Sequence, residues 1–331
     1  MPTLYLMNKD SVLGIEGDCF KVTSADGLKT TIPMLKVDAV VAFGDTQITT
    51  QAIAELLERD IPTTFLSNHG KYYGRLVSTE TRNIELRIEQ YKKFGDTAFR
   101  ILVSRGFVQG KILNGVYLLK NLNRYRKIEG VQKNIEDMLC SVKKLDQVQS
   151  LDSLRGYEGS ASAAYFKALP FMLNESFGFS ERNRRPPRDP INSMLSFSYT
   201  LLMYSVYSAV SVVGLDPGIG FFHEYTNNRP ALPLDLMEEF RAILADQVVI
   251  DLINHDMVSN DDFHIGEDKD RPVFINNDLR QKIIKKYEKR LATVILYDNE
   301  QASYRRVLEL QARQLARCIK NNEAYKPFIQ Q

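Results

Sequence analysis

Apolar and polar residues alternate through the first eighty positions and then change period. LYLM, VLGI, CFKVT, LKTTIP, VDAVVAFG, TTFLS and YYGRLV are short runs rich in β-branched and aromatic residues. Turn chemistry such as Ala25-Asp26-Gly27 and Asn68-His69-Gly70 separates them. One interruption, Thr50 to Arg59, sets Ile53, Leu56 and Leu57 at helical spacing. From about Thr81 onward apolar residues recur at three and four with charges in the gaps, and no strand alternation remains. Helices are predicted over 82–94, 97–122, 128–145, 159–169, 191–213, 234–254, 278–291 and 301–321. The pattern predicts an α+β chain: an N-terminal β-sandwich-like domain over residues 1–81, then an all-α domain over 82–331.

Composition changes this picture at a few points only. A chain of 331 residues fits two domains with proper cores. The formal charge of +2 hides an uneven distribution. Arg82 to Lys133 and Arg280 to Lys320 are both strongly basic, which points to an anionic partner. Cys19, Cys140 and Cys318 are too far apart for a metal knuckle and odd in number, which favours a reducing, cytoplasmic compartment. The N-terminus shows no secretory pattern. Ile191 to Leu215 carries no charge and is long enough to span a bilayer, but its many serines predict a helix buried in protein, with no membrane partner.

Candidate chemistry concentrates in FFHEYTNNRPALPLDLMEEFR, Phe221 to Arg241. On a helix starting near Leu234, Leu236, Met237, Phe240, Ile243 and Leu244 share one face, and Asp235, Glu238 and Ala242 share another. Pro233 suits the first turn. Acids near a helix N-terminus are favourable through the macrodipole alone, so the carboxylates by themselves leave structure and function both open. His223 adds to them, because the Gly/Pro-rich run GLDPGIGFFH and the polar loop after it can fold the imidazole back onto the acidic face. Glu158, set between Gly156 and Gly159 and followed by Ser and Ala, is a third acid, in surroundings that admit either tight helix packing or a close ligand. The stretch SERNRRPPRDPIN offers Arg182, Arg184, Arg185 and Arg188 on a proline-stiffened loop. It reads as a phosphate contact or as a solvated loop pairing with Glu181 and Asp189. The remaining histidines, His69, His255 and His264, fall in a turn and an acidic loop without chelating spacing.

GYEGSASAAYF, RNRRPPRDPINSMLSFSYTLL and GLDPGIGFFHEY…LPLDLMEEFR, in this order and on a chain laid out as β then α, resemble the CRISPR-associated integrases of the Cas-one family. The resemblance implies a metal-dependent DNA endonuclease and integrase whose ligands are Glu158, His223 and Glu238, with Asp235 a supporting acid on the metal or on a ligand. Glu239, further round the helix, is left out. The implied cofactor is Mg²⁺ or Mn²⁺, since one imidazole and two carboxylates suit both ions. The implied reaction joins the 3′-OH of captured spacer DNA to the CRISPR repeat. Arg182, Arg184, Arg185, Arg188 and Arg241 are the expected DNA contacts. A homodimer formed through the β-rich part and a small partner, Cas-two, are also implied. Two other readings stay open: a metal-dependent nuclease of branched DNA, and a non-catalytic DNA-binding scaffold.

Overall fold

The structure, a computed structural model, describes residues 3–68, 72–76, 83–175, 177–183, 186–227, 229–267 and 272–331. The chain divides into two compact units, Met1–Arg82 and Asn83–Gln331.

The first unit holds two four-stranded sheets. One is ordered β1 (Thr3–Leu6), β5 (Ala39–Phe43), β7 (Thr63–Leu66), β8 (Tyr72–Leu76), with only the β7–β8 pair antiparallel. The other runs β4 (Lys29–Pro33), β3 (Cys19–Thr23), β2 (Val12–Glu16), β6 (Gln47–Ile48), with β6 parallel to β2. Leu6, Val40 and Ala42 from the first sheet, Leu13 and Phe20 from the second, and Ala52 and Leu56 of helix α1 (Thr50–Glu58) form one core. The sandwich expected from alternation is therefore present. The near-continuous burial of β5 marks it as the central strand of a partly parallel sheet. Thr49 caps α1 by accepting from the Ala52 amide, which is why the helix starts there.

The second unit is helical: α2 (Ile84–Gly95), α3 (Thr97–Arg126), α4 (Glu129–Lys144), α5 (Leu151–Ala168), α6 (Pro190–Val213), α7 (Ala231–Met237), α8 (Gln247–Asn254), α9 (Asn277–Leu291) and α10 (Tyr304–Asn321). Two hairpins depart from the all-α expectation: β9 (Phe263–Ile265) with β10 (Val273–Ile275), and β11 (Val294–Tyr297) with β12 (Glu300–Ser303). Strands of three or four residues are too short to print an alternation that stands out from helical spacing.

Two helices frame the candidate site. α3 packs on α4 and α5, and α6 packs on α7, α8, α9 and α10. α6 opens with Asp189 accepting from the Asn192 amide and Pro190 at its first position, and it closes on Gly214 at φ 92°. Long and apolar enough to cross a membrane, it is nonetheless a core helix, and Val212 is its single exposed residue.

Two helix predictions need correction. α5 begins at Leu151, eight residues before the predicted start, because Ser150 caps it on the Ser153 amide and carries the chain through both glycines. The predicted helix over 234–254 is not one helix. α7 gives way to a 3₁₀ turn at Glu238–Phe240 and a π-helical turn at Arg241–Asp246 before α8 resumes. Such interruptions re-aim side chains that a regular helix would distribute by 100° steps. The acidic face is also not a surface: Asp235, Glu238 and Glu239 are all buried between α3 and α6.

Candidate metal centre

The loop before α7 is built around Asp235. Its carboxylate, fully buried, accepts the amides of Phe221 (2.6 Å), Phe222 (3.0 Å) and His223 (2.8 Å), and the His223 Nδ1 at 2.7 Å. The carbonyls of the same turn are taken as well, Phe221 by Arg100 and Phe222 by Arg155. A side chain at Gly220 would put its Cβ 2.6 Å from Asp235 Oδ2, so only glycine lets the loop come this close. The folding back anticipated from the Gly/Pro run is thus real, and Asp235 is its anchor.

A carboxylate can only accept, so His223 Nδ1 carries the hydrogen of that contact and the ring's Nε2 is turned toward Glu238, 4.0 Å from Oε1. Glu158 on α5 completes the set. It is joined to Glu238 by the ammonium of Lys111 on α3, which contacts Glu158 Oε1 and stands 2.8 Å from Glu238 Oε2. Glu238 Oε2 is buried, and the Lys111 ammonium is its counter-ion. Ser162 donates to Glu158 Oε1 at 3.0 Å, and Arg241 holds Glu238 Oε1 at 3.0 Å.

Side-chain exposures of 22 % for Glu158 and 20 % for His223, against 5 % for Glu238, show that the cluster opens on the Glu158–His223 side. Burial alone would raise the Glu238 pKa, but Arg241, Lys111 and His223 outweigh it and hold the carboxyl at about 2. Glu238 is a carboxylate at any working pH.

These donors fit a hard divalent cation. Two carboxylates and one imidazole with its other nitrogen fixed by a carboxylate form a usable ligand set, and a cation would take the place that the Lys111 ammonium holds between the two glutamates. Among the described residues no three His, Cys, Asp or Glu side chains already close on one point. The ammonium of Lys111 holds the two glutamates together instead.

Beside the cluster lies a cavity of about 240 Å³, bordered by Lys111, Glu158, Gly159 and Arg241. Its floor is Asp246, which accepts from Tyr165 and Tyr199 at 2.7 Å each and whose pKa is raised by burial. Arg241 also stacks on Tyr199, 4.7 Å from the ring centroid.

The structure brings Glu158, His223, Glu238 and Asp235 together, and it sets Glu239 on the other side of the backbone, as expected. It does not place the arginines as one surface. Arg241, expected on DNA, is mostly covered and pairs with Glu238 inside the cluster, and Arg182 turns inward to Asn192 and Ser196. Arg188 is exposed, while Arg184 and Arg185, like His69, lie outside the described residues. The two basic segments also hold the fold: Arg87, Arg105, Arg280 and Arg290 donate to main-chain carbonyls, and Arg305 and Arg313 pair with Glu288 and Glu309. Lys111 was not singled out in the sequence. Its signal is a lone charge in the interior of an otherwise apolar and glycine-rich helix stretch, GFVQGKILNGV.

The family model for "CRISPR associated protein Cas1" matches residues 4–289. The chain belongs to the Cas1 family. The CRISPR-associated endonuclease Cas1 3 of Thermus thermophilus is 35% identical over 98% of this chain and 96% of its own length. The Cas1 1 endonuclease of Moorella thermoacetica is 34% identical over 99% and 98%. Among solved structures, a Cas1 protein from Thermotoga maritima superposes with a TM-score of 0.84 at 22% identity, covering 99% of this chain and 100% of that one. A casposase bound to its integration product gives 0.89 at 24% identity, covering 100% and 94%. The last two show a common Cas1 fold, β unit followed by helical unit.

Proposed function

We propose that this chain is a CRISPR adaptation integrase: a divalent-metal-dependent enzyme that joins the 3′-OH ends of new spacer DNA to the CRISPR repeat. The observation that carries the reading is the pairing of Glu158 and Glu238 across the Lys111 ammonium, with His223 Nε2 4.0 Å from Glu238 Oε1, in a cluster that is partly open. Mg²⁺ or Mn²⁺ held there would withdraw charge from a phosphodiester and favour attack on phosphorus. Strand transfer forms one P–O bond to the incoming 3′ oxygen and breaks one to the 3′ oxygen of the repeat strand, so the number of phosphodiesters is conserved.

Each residue has a part in this. Asp235 orients His223 through Nδ1 and fixes the turn that carries it. Arg241 and Lys111 keep Glu238 ionised and, once a cation takes the glutamates, become cationic neighbours for phosphate oxygens. Gly156 and Gly159 leave open space on α5 next to Glu158, with nothing within 4 Å of an added Cβ, which suits close approach of a DNA backbone. Arg188 contributes to the phosphate track together with the neighbouring arginines of the proline-rich loop.

Curated relatives named as endonucleases support phosphodiester chemistry. A fold shared with a casposase solved on its integration product supports joining. Likeness to the Cas1 part of a Cas6-RT-Cas1–Cas2 complex supports the small Cas-two protein as partner. A homodimer through the first unit, which exposes Leu28, Leu35 and Tyr73, and a cytoplasmic site of action complete the proposal.

The test is a strand-transfer assay with a labelled 3′-OH duplex and a supercoiled plasmid carrying the repeat. Mn²⁺ or Mg²⁺ is expected to give joined products, chelator to abolish them, and Glu158→Ala or His223→Ala to lose joining while folding and DNA binding persist. Nicking without joining would favour a repair nuclease. Unchanged DNA transactions in both variants would leave only a binding scaffold.

A further inference from the structure

The ten residues after α10 have no regular secondary structure, yet Tyr325 and Phe328 are buried. This segment crosses α3 on a face cut for it. Gly106, Gly110 and Asn114 follow one another at four-residue steps. A Cβ on Gly106 would meet Tyr325 Cδ1 at 2.6 Å, and one on Gly110 would meet Glu239 Cγ at 2.8 Å and Pro327 Cβ at 3.0 Å. Asn114 then donates to the carbonyls of Glu239 (2.7 Å) and Phe328 (2.9 Å) and accepts the Gln330 amide (2.8 Å).

The contacts made by this segment concentrate on the two residues that follow Glu238. The Glu239 carboxyl accepts from the Tyr325 hydroxyl and the Phe328 amide, and Phe328 stacks on Phe240 at 4.9 Å and 10°. Glu239 and Phe240 lie in the 3₁₀ turn, immediately before the π-helical turn that carries Arg241. Short 3₁₀ and π turns hold few backbone hydrogen bonds and of poorer geometry than an α-helix, and here the Glu239 carbonyl accepts from Asn114. Glu238 and Arg241 are then aimed at the cluster from a backbone whose opposite side is clamped.

We propose that residues 322–331 act as a strap that positions Glu238 and Arg241, with Tyr325, Phe328 and the Gly110–Asn114 face as its fastening. The strap makes no hydrogen bond or ion pair to Glu158, His223 or Glu238 and works through Glu239 and Phe240. The inference rests on the metal-centre reading above.

The test uses the full chain with Tyr325→Phe, which removes one hydroxyl, and Gly110→Ala, which presses on both Glu239 and Pro327. Mn²⁺ binding is read from the loss of the free-ion electron paramagnetic resonance signal, alongside strand transfer, DNA binding and the metal-free thermal midpoint. Each variant is expected to bind Mn²⁺ roughly tenfold more weakly and to join DNA more slowly, since misplaced supporting groups cost metal sites about 10–100-fold. DNA affinity should hold in both, the metal-free midpoint of Tyr325→Phe should fall by only a few degrees for the one hydrogen bond lost, and exposed Ile329→Ala should behave as the parent throughout. Parental Mn²⁺ affinity in both variants overturns the strap. If Gly110→Ala fails to fold, Tyr325→Phe alone decides. Glu158→Ala separates the two levels: if it still binds Mn²⁺, the metal assignment itself fails, and if it loses Mn²⁺ while both strap variants keep it, only the strap fails.

Discussion

Asp235→Ala is the most informative single change, because one buried carboxylate serves four donors. Deleting it leaves the Phe221 and Phe222 amides buried without partners and the His223 amide half-buried. Each unsatisfied buried donor costs about 1–3 kcal/mol, so a loss of about 3–6 kcal/mol is expected. At roughly 2–4 °C per kcal/mol for a unit of this size, the midpoint should fall by about 6–24 °C. The His223 imidazole also loses the partner that fixes its tautomer, and Mn²⁺ affinity should drop by about 10–100-fold. His223→Ala is the comparison. It removes the same ligand but leaves the Asp235 acceptors and the three amides in place, so it should lose Mn²⁺ with a midpoint shift of only a few degrees. Thermal melts and Mn²⁺ titrations of the two variants check both halves. Parental melting of Asp235→Ala would refute the account of the turn. A lowered midpoint with unchanged Mn²⁺ affinity would refute the orienting role.

Lys111→Met should destabilise the metal-free protein by about 3 kcal/mol, since it breaks a buried ion pair on two carboxylates, and should enlarge the stabilisation by Mn²⁺; equal Mn²⁺ shifts in variant and parent would count against Lys111 bridging the glutamates. Glu239 is raised by burial from 4.5 to about 8, with Tyr325, the Phe328 amide and Gln311 opposing the rise, so folding takes up a proton between those values. Its contribution is fully present below pH 4.5 and is lost as pH rises through 8. Glu239→Gln removes this dependence, so its midpoint relative to the parent should climb from pH 5 to pH 9, and a constant difference would contradict the buried acid. Gly159→Ala should raise stability by up to ~1 kcal/mol, because the glycine sits inside α5, yet slow strand transfer if DNA uses the space beside Glu158; unimpaired joining would show that the space is not used.

The sequence by itself determined the order of strand and helix units and named the side chains that the structure brings together. Period-two runs ended and period-three-and-four runs began near residue 81 because strand and helix cores impose those spacings on any chain. Glycine and proline before His223 announced a loop able to turn back, and Glu158, His223, Asp235 and Glu238 were all legible from motif and order. Only the tertiary structure decided how those residues divide their work. A helical wheel drawn on 234–254 assumes regular steps, whereas α3, α6 and the segment after α10 hold Glu238–Asp246 in 3₁₀ and π turns, so neighbouring Glu238 and Glu239 face different partners. Burial could not be read either. Asp235 looks like a solvated helix acid until the three amides of Phe221–His223 arrive, and Lys111 and Arg241 look like surface cations until two glutamates from other elements meet them. Charges that owe their position to groups tens of residues away carry little local pattern beyond a lone lysine in an apolar stretch, because the force that places them is the cost of leaving a buried partner unsatisfied.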